Sequence, residues 1–479
     1  MGIHAKPSAD AEQRLKEQRK RETISSLIIS FLSITLIGLV LGLVFLPKIT
    51  DTQEVMVVYK YEQEKEKKPE PIPKPTVIKK PTPPSSSSSV AKVITSVNTA
   101  DFVVPIVDID TETPNLEFGE SADFGSGWNT GIGSNPFSSI PSTMRKRCSP
   151  QERMKRLKES GGDPKSEKAV VAALDWLQET QNADGSWGNQ HKSAMTGFAI
   201  LAFLGHCETP SSKKYGKTVE RGMVWLVDLG LKNDGRLSQL PEKNIQWVYE
   251  QGISTYALAE SLTLSKDMKY NIPKLDEVTK KAGEMIMDGQ AGSGGWNYRY
   301  SPHSSEGDNS VGFWQIQALK ACKHTKLWPD SKFKPTAREA MKFLKKVQGQ
   351  NGAIGYRTDH NRSPHLTGGG VLCMQFWGEG DSDEAEKGIK WIRENSTFEW
   401  GKTSSNLYYH YYNAQAMINA GGEDWEWYNN MFQKQLLDAQ NDDGSWTQKM
   451  AHGPINQHMA TCLATFMLEV YYRFLPASK

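Results

Sequence analysis

Two kinds of apolar segment alternate along residues 168–479. In the first kind, "KAVVAALDWLQE", "TVERGMVWLVDL", "AREAMKFLKKV" and "AEKGIKWIREN", apolar residues recur at spacings of three and four with charges on the opposite face. That is the pattern of an amphipathic helix lying on a core. In the second kind, "TGFAILAFLG", "STYALAESLTL", "SVGFWQIQALKAC", "LTGGGVLCMQFWG", "YYHYYNAQAMINAGG" and "ATCLATFMLEVYY", apolar residues reach every face, which predicts helices buried all round. Six outer helices alternating with six inner ones would close into a double-walled ring. An open stack would need polar capping repeats, and the last inner segment, ending "EVYYRFLP", is as apolar as the rest.

A short phrase punctuates the alternation. "QNADGSW" (181–187), "QAGSGGW" (290–296) and "QNDDGSW" (440–446) fit Gln-x-x-x-Gly-x-Trp. "QGQNGAI" (348–354) puts Ile354 in the Trp place, "LKNDGRL" (231–237) puts Leu231 in the Gln place, and "ENSTFEW" (394–400) keeps only Trp400. Gly185 and Gly444 suit a turn with φ > 0 that stops the outer helix, Gln can bond exposed backbone groups, and the Trp ring packs across it. The phrase predicts a helix stop with a clamp. Its carboxylates Asp184, Asp442 and Asp443 belong to turns on this reading.

The N-terminal third is built differently. Residues 1–23 form a basic tail, and Ile24–Leu46 is a stretch of 23 residues without a charge. As a helix it would be about 34 Å long, enough to cross a hydrocarbon core of about 30 Å. Basic residues precede it and only Lys48 follows closely, so the expected topology is a single-pass anchor with a cytoplasmic N-terminus and the ring in the periplasm or outside the cell. Residues 47–149 read as a Pro- and Ser-rich stalk, extended through Pro69–Pro84, followed by a largely disordered linker.

Charge and cysteine content narrow the function classes. Lys and Arg total 57 against 55 Asp and Glu, so no whole-chain basic field points to nucleic acid. The five cysteines are widely spaced, with no CxxC pair. That argues against a disulfide framework or zinc ribbon and predicts small buried apolar residues.

The Gln-x-x-x-Gly-x-Trp repeat resembles the QW motif of the prenyltransferase and squalene-oxidase repeat found in terpenoid cyclases. The resemblance covers about residues 166–479 and implies an all-α, six-repeat α/α toroid over 150–479, with a pocket on the ring axis beside the inner helices. The tail, the anchor and "PEPIPKP" weakly resemble periplasm-spanning proteins of the TonB type, which would imply TonB-type inner-membrane partners, but the transmembrane His expected of that type is absent.

Aligning the inner helices gives a first column of Ser193, Gln251, Asp308, His365, Asn406 and Asn456, four of them good helix N-caps. Asp308 reads either as a cap or as a carboxylate at the cavity mouth. The column four positions on is Gly197, Thr255, Gly312, Gly369, His410 and Ala460, which suits either close helix packing or an open wall. Asp308 and His410 are the catalytic candidates. Tyr256, Phe313, Trp314, His365, Tyr409 and His458 are the ligand-binding candidates, because an aromatic cavity would suit carbocations, although aromatics at helical spacing also make plain core. The D-x-D-D, D-D-x-x-D and Cys-Gly-Glu-Gln signatures of the toroid enzymes are missing, and His458 with Cys462 has no Asp-x-Cys partner for zinc. No metal or cofactor is expected. The leading expectation is a non-catalytic toroid that binds an apolar molecule, isoprenoid or lipid, or a peptide. The alternatives are an active cyclase-like or prenyl-transfer-like enzyme, and a polysaccharide-acting enzyme using Asp308, Glu306 or Glu250.

Overall fold

The computed structural model describes residues 142–268, 270–358, 365–450 and 453–473. The expected anchor and proline-rich stalk lie outside these residues. No helix among the described residues is long and apolar enough to cross a membrane.

Two short helices, α1 (Ser142–Lys146) and α2 (Pro150–Glu159), precede the repeats. The outer helices are α3 (Lys165–Glu179), α5 (Gly216–Lys232), α7 (Leu275–Asp288), α9 (Lys334–Lys346), α11 (Asp383–Asn395) and α13 (Gly422–Asp438). The inner helices are α4 (Lys192–Gly205), α6 (Trp247–Met268), α8 (Asn309–His324), α10 (Thr367–Phe376), α12 (Leu407–Ala420) and α14 (Gln457–Glu469). Each inner helix packs on the next, and α14 returns to α4 and α3, which closes the ring. Like ends meet: Ser193 Oγ lies 2.8 Å from Ser254 Oγ at one end, and at the other Gln375 Nε2 donates to Ala416 O at 2.9 Å. The inner helices therefore run parallel, with their first turns at one end of the ring, here called the mouth, and their last turns at the other, the base.

The repeated phrase joins one repeat to the next. Gln181 Nε2 donates to Gly185 O (2.9 Å) within its own turn and to Thr218 O (2.8 Å) in the first turn of the following outer helix. Gln290 does the same with Gly294 and Thr336, and Gln348 with Gly352 and Glu384. Gln440 reaches across the seam to Ala169 O (2.8 Å) in the first outer helix. The Trp indole ties back the helix just ended: Trp187, Trp296 and Trp446 donate to Leu177 O, Ile286 O and Leu436 O. Gly185 sits at φ 93° with its α-carbon against the next outer helix, where a Cβ would lie 2.7 Å from Arg221 O. Only glycine fits that conformation and approach together.

The degenerate copies are repaired from elsewhere. Where Leu231 replaces Gln, Gln251 of α6 donates to Gly235 O (3.1 Å). At "ENSTFEW", Gln435 of α13 donates to Phe398 O and accepts from Trp400 N–H.

The cysteine expectation is corrected in part. Cys322, Cys373 and Cys462 are free and buried, but Cys148 and Cys207 form a disulfide with their Cα atoms 5.0 Å apart. They are 59 residues apart in sequence, and the fold brings the segment after α1 onto the end of α4. Spacing alone carries no sign of such a pairing.

Candidate functional site

Trp314 defines the ring axis. It projects from the second turn of α8, and its ring meets Phe198 of α4 (5.4 Å), Tyr411 of α12 (5.6 Å, stacked) and Tyr412 (5.7 Å). Helices α4, α8 and α12 alternate around the ring, so a side chain touching all three lies across its centre. Phe466 of α14 packs on Phe198 and Tyr411. All five aromatic rings are buried. The axis at this level is a packed aromatic floor.

Above the floor, at the mouth, hydroxyls converge on Ser310. Tyr249 of α6 donates to Ser310 Oγ at 2.9 Å, and the Tyr298 hydroxyl lies at the same distance. Ser310 Oγ donates in turn to Asp308, and Tyr408 of α12 accepts from Trp314 Nε1 at 2.6 Å. Tyr249, Tyr298 and Tyr408 are half-buried. Three carboxylates stand near the mouth, and two of them are engaged: Asp308 caps α8 through Ser310 N–H (2.9 Å) and takes Arg357 Nε at 3.0 Å, whereas Glu306 is exposed, 3.8 Å from the same guanidinium. Glu250 accepts from the Ser238 hydroxyl at 2.5 Å and lies 3.1 Å from His191 Nδ1. Ile245 and Tyr356 stand exposed on the loops before α6 and α10.

The structure separates the residues that the columns grouped. Asp308, Asn406 and Asn456 are N-caps, whereas Ser193 sits inside α4 and donates to Leu237 O. In the small-residue column, Gly197 and Gly369 face neighbouring inner helices, where a Cβ would meet Ile253 at 3.0 Å and Phe313 at 2.2 Å, whereas a Cβ on Gly312 would have only Asn309 near it, at 3.9 Å. His410 points away from the axis, toward the outer layer. Burial pushes its imidazole down to about 4, so Nε2–H donates to Ser404 O (2.7 Å) and Nδ1 accepts from the Tyr428 hydroxyl (2.5 Å). Phe313 meets Tyr412 edge-on, and Tyr409 is buried beside His410. His365 is exposed, with its ring against Tyr409. His458 packs on Trp176 of α3, away from the axis. Tyr256 is buried lower on α6, with the Arg473 guanidinium 5.9 Å from its ring. Of the named candidates, Trp314 and Phe313 join one cluster and Asp308 borders it.

Sequence reasoning missed the charged layer at the base. Arg147, between α1 and α2, pairs with Glu260 of α6 at 2.5 Å, both 1 % exposed. Arg473 lies 4.0 Å from Glu260 and 3.8 Å from Glu469. Alongside, Glu167 takes Arg153 and His206 at 3.0 Å each. Burial pushes the Glu469 carboxyl up to about 8 against the pull of Arg473. Arg147 and Met144 fall among residues expected to be linker, yet both are buried. The available signal was a lone acid inside an apolar run, in "YALAESLTL" and "FMLEVYY". At the mouth, Ser310 lies two positions after the cap residue Asp308, a register the columns did not sample. Among the described residues no three His, Cys, Asp or Glu side chains gather as a metal site.

No family model and no curated protein sequence matches this chain. Its fold is similar to solved structures of helical rings. A GH76A α-1,6-mannanase from Salegentibacter sp. HEL1_6 is 10% identical with a TM-score of 0.47, over 64% of this chain and 98% of that one. A cellobiose 2-epimerase from Bacillus thermoamylovorans B4167 is 13% identical with a TM-score of 0.46, over 62% and 95%. The type II terpene cyclase MstE from Scytonema is 13% identical with a TM-score of 0.42, over 64% and 98%. Similarities this distant carry no argument about activity. The ring assignment rests on the closed succession of helix pairs described above.

Proposed function

We propose that this chain is an anchored, exported α/α toroid that works as a binding module, taking an extended peptide across the mouth of the ring. The observation that carries this reading is the set of three half-buried tyrosines above a closed aromatic floor: Tyr249 of α6 and Tyr298 of the loop before α8 on Ser310 Oγ, and Tyr408 of α12 with its hydroxyl 3.5 Å from Ser310 O. An isoprenoid or lipid needs an apolar cavity, and the axial rings fill that space with one another. Acid chemistry on a glycan needs carboxylates that reach the substrate. Asp308 and Glu250 are instead held by Arg357, Ser238 and His191, which leaves the exposed Glu306 without a second free carboxylate to work with. Hydroxyls, charges of both signs and the exposed apolar residues Ile245 and Tyr356 together match the mixed chemistry of a peptide.

Export is supported by the Cys148–Cys207 disulfide, since such bonds persist in oxidising compartments, and by the uncharged Ile24–Leu46 stretch after a basic tail. The resemblances to squalene-cyclase repeats and to TonB-type proteins fit this reading as an origin for the ring and for the anchored stalk.

The test is binding of the full-length protein to a random peptide library and a glycan array, alongside incubation with squalene. The expected result is peptide capture, weakened at least tenfold by Tyr408→Ala. Cyclised squalene, or capture of glycans alone, overturns the proposal.

A further inference from the structure

The chain is nearly neutral, yet its charge is unevenly placed. Residues 320–346 carry nine Lys or Arg against two acids, Asp330 and Glu339. Residues 93–144 carry seven acids and no Lys or Arg. The excesses are equal in size and opposite in sign, and blocks of this kind attract one another, the more so at low salt.

The basic block is folded into a receptive shape. One face of α9, through Lys334, Ala337, Arg338, Met341, Lys342 and Lys345, forms a wall of a groove of about 470 Å³. Lys323, Trp377 and Glu379 line it as well, and the Lys323 ammonium lies 5.7 Å from the centre of the Trp377 ring. Five cations line a groove with two carboxylates, Asp330 and Glu379, and a half-buried indole. Lys345 pairs with Glu379 at 2.8 Å and Glu384 at 3.4 Å, and Glu339 takes Arg338 and Lys342, so a docked acidic segment would compete with these surface pairs. The groove opens toward the base, because Lys323 is in the last turn of α8 and Trp377 directly follows α10.

The described chain also begins at the base, where Cys148 is bonded to Cys207 just past the end of α4. Asp123 precedes Ser142 by 19 residues. An extended chain of that length spans about 60 Å. A compact domain the size of this ring is about 50 Å across, so the acidic block can reach any part of the base edge.

We infer that the α9 groove is the docking site of the chain's own acidic segment Asp108–Asp123. The carboxylates of Asp108, Asp110, Glu112, Glu117, Glu120 and Asp123 would meet Lys334, Arg338, Lys342 and Lys345, and Leu116 or Phe118 would meet Trp377. Docking would tie the stalk to the ring at a second point beyond the disulfide.

Zero-length carbodiimide cross-linking of the full-length protein, mapped by peptide mass spectrometry, tests this. The expected products are amide links from Asp108–Asp123 to Lys334, Lys342 or Lys345. Their yield is independent of protein concentration and falls at least fivefold in 0.5 M salt or in the double variant Arg338→Glu, Lys342→Glu. As a second readout, amide exchange in α9 should quicken when the six acids are changed to their amides, a substitution outside the ring that leaves its helical circular dichroism unchanged. Absence of these links overturns the inference, as does equal yield at lysines on other faces such as Lys232 and Lys402. A yield that rises with protein concentration also overturns it, because the groove then takes the segment of a second copy. Unchanged exchange in α9 is a further contrary result.

Discussion

The two ends of the ring axis hold polar groups in opposite ways. At the mouth, neutral hydroxyls from three elements bond one another around Ser310, and the tyrosines among them are only half-buried. At the base, Arg147, Glu260, Glu469 and Arg473 are sealed from water, and several of their atoms have no hydrogen-bond partner, including both Glu469 oxygens. A buried ion pair such as Arg147–Glu260 stabilises little by itself and is damaging when one partner is removed. The base is therefore a lock, closed by the segment carrying Arg147 and fastened by the disulfide. Such a lock suits the end from which the rest of the chain departs. The mouth, built of groups that water can replace, is the end at which the proposed peptide would bind.

The sharpest way to break this contrast is Arg147→Ala. It leaves Glu260 buried without its closest cation and should lower stability by about 3–5 kcal/mol in urea denaturation. A loss under 1 kcal/mol would show the base to be as yielding as the mouth. Removing the disulfide with Cys148→Ser and Cys207→Ser comes next. The loop it closes spans 59 residues, and its loss should lower stability by about 2–4 kcal/mol. The effects of the two changes should not add, since both loosen the same segment.

A pH series sharpens the picture of the base. The Glu469 carboxyl is raised in the fold to about 8 from an ordinary 4.5. The folded state therefore holds a proton that the unfolded chain has released. Its contribution is full below about pH 4.5 and is lost as pH rises through about 8. Urea midpoints should fall across that window, and Glu469→Gln should flatten the fall. The smallest effect belongs to the mouth: Tyr249→Phe removes one hydrogen bond at a half-exposed site and should change stability by under about 1 kcal/mol in the same assay. Its effect should appear in peptide binding.

The alternation of apolar patterns revealed the ring because each helix buries a face that its own sequence declares. The clamp was legible in part. A glycine stop and a paired Gln and Trp are local features, but the bond from Gln181 to Thr218 joins residues 37 apart and depends on how two outer helices sit. The axis was harder to read, since a column of aligned positions fixes a residue's height along an inner helix and leaves its direction open. His410 shares its column with glycines and turns outward to Tyr428, while Trp314, two residues past that column, reaches the centre. The disulfide and the Arg147–Glu260 pair stayed hidden because their partners are 59 and 113 residues apart and lie on different elements.

The ring axis is closed by its aromatic floor beneath a half-buried mouth. Hydroxyl-radical footprinting of the ligand-free, full-length protein tests it most directly. Trp314, with its ring enclosed by α4 and α12, should stay unmodified while Tyr249, Tyr298 and Tyr408 are oxidised. Oxidation of Trp314 at a rate matching those tyrosines would mean that solvent reaches the centre of the ring, and would contradict the account.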